Sequence, residues 1–167
     1  LRHNGQGLGA SELGHTHVPD WDFPNMPRKL EDLCSGWSIE RRQRAMPDPD
    51  PDSPLGALCG GKPANITCAM IGKAAEQGDS RAWEEIEHVA QSVGVAIANA
   101  VTLFHPERIA LGGGVPLMGE VLVGPIRRYA NQYAFGPFQN RFEIVPCKLG
   151  ESVVLAGAIL LASEDIG

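Results

Sequence analysis

The sequence has no CxxC pair and no close spacing among its four cysteines, Cys34, Cys59, Cys68 and Cys147. That excludes the compact ligand pairs of a structural zinc site and suits a reducing cytoplasm, the compartment expected here. Basic charge is also scarce. Fourteen Lys and Arg against twenty Asp and Glu give a formal net charge of -6 and a pI near 5.3. This balance argues against nucleic acid or an anionic membrane as a partner. The most apolar run, residues 149–162 (LGESVVLAGAILLA), is too short for a bilayer, which needs about 20 residues, so it is expected to be a buried helix. No basic, apolar signal sequence opens the chain. The chain starts at Leu1, without methionine, in a glycine-dense run, and a preceding portion is expected.

What is present fits one domain: 167 residues, enough to bury roughly 70% of the unfolded surface without a disulfide. Residues 1–18 lack helical periodicity and read as loop, with a short strand over 15–18. A helix is expected over 29–44 with Leu30, Leu33, Cys34, Trp37 and Ile39 inward, and Arg41, Arg42 and Arg44 as its solvated end. The run PDPDPDSP and the glycines after it predict an exposed loop over 47–63. Helices follow over 65–77, with Ile66, Met70 and Ala74 inward, and over 80–104. Asp79 caps the second of these, whose inward stripe is Trp83, Ile86, Ala90, Val93, Ile97, Val101 and Phe104. A strand over 108–111 runs into Gly112, Gly113 and Gly114, then come a helix over 117–133 and a strand over 142–145. Helices alternating with strands imply an α/β fold with a small sheet.

Two stretches carry candidate chemistry. Glu12 and His15, with Gly14 between them, place a carboxylate and an imidazole where both could face one polyhydroxylated ligand. Equally, they could be a surface glutamate and a histidine bonded to backbone. The three glycines after a strand suit either a tight turn or contact with a nucleotide. His15, His17 and Cys34 raise the question of zinc, but their spacing does not support it.

The segments ELGHTHV (from Glu12), LE (Leu30, Glu31), AAEQGD (from Ala74), AN (from Ala98), FHPERIALGGGV (from Phe104) and LAGA (from Leu155) occur in the order and spacing of the ROK family of repressors, open reading frames and sugar kinases. The resemblance covers nearly the whole chain. It implies a single C-terminal lobe of the actin/hexokinase-like, ribonuclease H-like ATPase fold. It also implies that Glu12, His15 and Glu31 bind a hexose or hexosamine, that Gly112 to Gly114 lie beside the adenosine of ATP, and that ATP and Mg2+ serve the intact parent protein. The family's zinc site uses the histidine of this motif and a CxCGxxGC run. This chain has FPNMPRK before Leu30, so zinc is not expected, and Trp21, Phe23 and Met26 are expected to hold the loop by packing. The family's DxGGT run, catalytic aspartate and GTG loop are absent from these residues, so no catalytic residue is assigned and no phosphoryl transfer by this chain alone is expected. Self-association through this lobe is a further implication. An effector-sensing lobe of a regulator and a degenerate binding module are the other readings.

Overall fold

The computed structural model describes residues 12–21, 23, 25–148, 152 and 159. The glycine-dense start and nearly all of the helix expected over 149–162 lie outside the described residues.

The centre of the molecule is a helical pair. Helix α5 (Ser80–Phe104) starts where the Asp79 carboxylate accepts the Ala82 amide at 2.9 Å, and it ends at His105 in the left-handed region. Its stripe of Ile86, Val89, Ala90, Ile97 and Val101 is buried, as a 3.6-residue period requires of an amphipathic helix. Trp83 and Phe104, expected on that stripe, emerge into solvent at its two ends. Helix α6 (Glu120–Tyr133) lies against it and buries Leu122, Val123, Ile126 and Ala130. Helix α4 (Cys68–Glu76) begins at Thr67, whose hydroxyl accepts the Met70 amide, and it buries Ile71, Ala74 and Ala75. It starts three residues later than expected, because Pro63–Asn65 forms a separate 3-10 turn.

Around this pair the sheets are small. Strand β1 (His17–Val18) pairs antiparallel with β2 (Arg28–Lys29), and β3 (Arg108–Leu111) pairs parallel with β4 (Glu143–Pro146), Ile109 opposite Ile144. Helix α6 is the crossover that a parallel pair needs.

Two expectations change. The helix read over 29–44 is two helices, α1 (Leu30–Cys34) and α2 (Gly36–Ala45), because Ser35 takes an extended conformation and serves as the end of one and the start of the other. The break resets the helical phase, so Ser38 and Ile39 turn inward while Trp37 is 57% exposed. The proline-rich stretch is not all exposed loop. Helix α3 (Pro54–Cys59) has the Ser53 hydroxyl accepting the Gly56 amide at 3.0 Å, proline in its first turn and Gly60 in the left-handed region at its end. Leu55 and Cys59 are buried, and the Asp79 carboxylate that caps α5 also accepts the Leu55 amide at 2.9 Å. These start and stop signals outweigh the disorder-like composition.

Candidate functional site

The first candidate residues lie on a 3-10 turn and a helix start. Leu13–His15 forms the turn, closed by the His15 amide donating to Glu12 O at 3.1 Å and the Thr16 hydroxyl donating to Leu13 O at 2.7 Å. The Leu30 amide donates to Thr16 O at 2.9 Å, which fastens the start of α1 to that turn. As a result His15 Nε2 lies 3.3 Å from Glu31 Oε1, and Lys29 Nζ lies 4.0 Å from the same oxygen. A Cβ at Gly14 would sit 3.6 Å from Glu31 Cβ, so the glycine lets the turn run close to the helix. Glu12 is exposed at the start of the same turn. The fold therefore brings His15 and Glu31 into contact, with Glu12 one short turn away. All three stay open to solvent, as side chains that meet a polar ligand must be.

Of the three residues expected to hold the loop between β1 and β2 by packing, Trp21 is half-buried, but Phe23 and Met26 are not packed away. Phe23 and Met26 are 62% and 66% exposed. Polar groups also hold the loop: Arg28 donates to the buried Asp20 carboxylate at 3.3 Å, and the Phe23 amide donates to Asp20 O at 3.1 Å.

The residues present do not fit zinc. Cys34 is buried, its Sγ 3.8 Å from Val89 O, and burial pushes its thiol up to about 12. That thiol faces α5 and would resist forming the thiolate a metal needs. Among the described residues no group of three His, Cys, Asp or Glu could hold a metal ion.

The glycine turn forms the second candidate. Leu111 ends β3, Gly113 has a φ of 85°, and Gly114 begins a 3-10 turn over Val115–Met118. No atom lies within 4 Å of where a Gly113 Cβ would be, so backbone conformation rather than crowding calls for glycine there. Gly114 also lines a cleft of about 420 Å³ with Gly36, Trp37, Glu40, Thr67 and Cys68. That volume lies within the range of small-molecule sites, ~300–1,000 Å³. Its acidic group is already matched: Glu40 Oε1 accepts the Cys68 amide at 3.1 Å, and Oε2 accepts from Arg44 at 2.8 Å. Burial and the Glu40 charge push the Cys68 thiol up to about 12, so it is a poor nucleophile. No sequence pattern marks this cleft, because its lining comes from three distant stretches and carries no periodic signal.

A family model described as the ROK family matches residues 2–165. The chain is 32% identical over 164 residues to a glucokinase of Thermotoga maritima, covering 96% of this chain and 51% of that protein. It is 36% identical over 85 residues to the N-acetylglucosamine repressor of Escherichia coli, covering 51% of this chain and 21% of the repressor. Among solved structures, a ROK family glucokinase from Streptomyces griseus, in complex with glucose and AMPPNP, superimposes with a TM-score of 0.74 at 30% identity. That superposition covers 91% of this chain and 51% of the glucokinase. The fold is thus the α/β, actin/hexokinase-like one that the motifs imply. The chain spans about half the length of the glucokinases it matches.

Proposed function

The chain belongs to the ROK family, and we propose that it is the sugar-binding lobe of a ROK sugar kinase. In this reading Glu12, His15 and Glu31 bind the hydroxyls of a hexose or hexosamine, and Gly112, Gly113 and Gly114 face the adenosine of ATP. The observation that carries it is the 3.3 Å approach of His15 Nε2 to Glu31 Oε1, made by residues from two separate elements and open to solvent. A carboxylate accepts from hydroxyls, and an imidazole both donates and accepts, so the pair suits neighbouring sugar hydroxyls.

ATP with Mg2+ would supply the phosphoryl group. Glu12, His15 and Glu31 would fix the orientation of the acceptor sugar, and the Gly113 turn would keep the backbone clear of the adenosine. Transfer of this kind rests on positioning and charge stabilisation. No DxGGT or GTG run occurs in the chain, so it is proposed to act with a phosphate-holding lobe and to be inactive alone. Similarity to glucokinases runs along nearly the whole chain, whereas similarity to the repressor covers half of it. This favours the kinase reading over an effector-sensing lobe, although the same sugar residues would serve either. Leu103, Phe104 and Phe135, exposed near the ends of α5 and α6, offer an apolar face for the self-association implied by the family.

Titration calorimetry with glucose tests the assignment. Glu12→Gln and Glu31→Gln each replace a charged acceptor, and each is expected to weaken binding by about 1.5–3 kcal/mol. Heats equal to the wild type in both variants would remove these residues from the site.

A further inference from the structure

The cleft beside Gly114 contains a large aromatic surface that the core leaves open. Trp37 sits in the first turn of α2, lines the cleft and is 57% exposed. An indole this open forgoes most of the hydrophobic stabilisation that burial gives a large aromatic residue. One turn later on the same helix, the Arg41 guanidinium lies 4.6 Å from the centre of the ring. A cation over an indole face is attracted by the ring quadrupole and restrains the ring. Among the described residues no carboxylate pairs with Arg41. Glu40, in contrast, is fully matched by the Cys68 amide and Arg44. The unmatched charge near the cleft is therefore positive, and its lining is aromatic on α2 and apolar at Val115 and Met118.

A flat apolar group that carries negative charge at one end fits this combination. We propose that Trp37 is the platform on which the purine of an adenine nucleotide stacks, on the indole face opposite the one that Arg41 covers, with Arg41 fixing the indole and adding positive charge on this side of the cleft. The proposal rests on the nucleotide reading of the glycine turn and adds to it a base-stacking residue from a different helix. Stacking tolerates any base, because every base has a π face. The platform therefore predicts affinity for the base itself, over and above that for its phosphates.

The test is titration of the chain with ADP and separately with inorganic pyrophosphate, followed by calorimetry or by amide shifts in 15N spectra. Trp37→Ala is expected to bind ADP about tenfold more weakly than wild type, and Trp37→Phe to keep most of the affinity. Pyrophosphate binding should be the same in all three proteins. Trp37 is largely exposed, so its variants should keep the wild-type melting temperature. A Gly113→Val variant separates the two claims, because it strains the turn at positive φ without touching Trp37. Loss of ADP binding in Gly113→Val with wild-type affinity in Trp37→Ala would overturn the platform and leave the nucleotide reading standing. If wild type binds no ADP at millimolar concentration, both fall.

Discussion

Glu85→Ala is expected to lower the free energy of unfolding by about 3–5 kcal/mol, the range seen when one partner of a buried ion pair is removed. The Glu85 side chain is 4% exposed, and three donors converge on it. Arg42 donates from Nη2 to Oε1 and from Nε to Oε2 at 3.1 Å, and Gln43 Nε2 donates to Oε2 at 2.7 Å. Without the carboxylate, a half-buried guanidinium and a buried amide lose their acceptor together. The damage should spread, because Arg42 Nη2 also donates to Leu33 O at 3.0 Å, and Gln43 Oε1 accepts from Arg81 at 2.8 Å. Leu33 lies in α1, the helix that carries Glu31, so this network ties the proposed sugar site to the core. Urea unfolding measures the effect. In a double-mutant cycle Glu85→Ala and Arg42→Ala should fall well short of additive, since either change breaks the same unit. A loss below about 1 kcal/mol would place the pair among surface ion pairs, which contribute little.

Gly94→Leu should be nearly as severe, at about 3 kcal/mol, the upper part of the usual range for overpacking. A Cβ at Gly94 would lie 2.5 Å from Tyr129 Cβ and 3.0 Å from Ala130 N. Neither atom is the tip of a flexible side chain, so α6 itself would have to move. That motion would pull Tyr129 away from Glu87, whose carboxylate accepts the tyrosine hydroxyl at 2.6 Å. Gly94→Ala gains about 1 kcal/mol in helix propensity and should be milder. Gly124 in α6 is the control. No atom lies within 4 Å of its Cβ position, so Gly124→Ala should not destabilise the protein. Thermal melts of the three variants check the order, and a Gly94→Leu protein as stable as wild type would mean that α5 and α6 do not meet this closely.

Of these two helices α5 is the more readable in the sequence, whereas α6 begins three residues later than expected, after a separate 3-10 turn over Val115–Met118. The bounds of α5 match the expectation residue for residue, because a long 3.6-period stripe and an Asp79 cap agree with each other. Among the shorter features β3 matches its expected bounds, but others are harder to read. Helix α3 has clear capping residues, but repeated proline and aspartate just before them mask it. Trp37 was expected inside because nothing periodic announces the break at Ser35, and a single extended residue is enough to turn the following face outward. Arg42, expected at a solvated helix end, instead anchors a buried carboxylate contributed by α5, and no local pattern shows a partner so distant in sequence. The sugar residues were named from their motifs. Spacing could not place Glu31 beside His15, because the pairing that brings them together is only two residues long on each strand.

The most direct measurement of the central claim is a glucose titration of the 15N-labelled chain followed residue by residue. Saturable shifts should concentrate on the amides of Leu13 to Thr16 and of Lys29 to Asp32, while those of β3 and β4 stay still. If those amides do not move at saturating hexose or hexosamine, the lobe does not bind sugar through Glu12, His15 and Glu31.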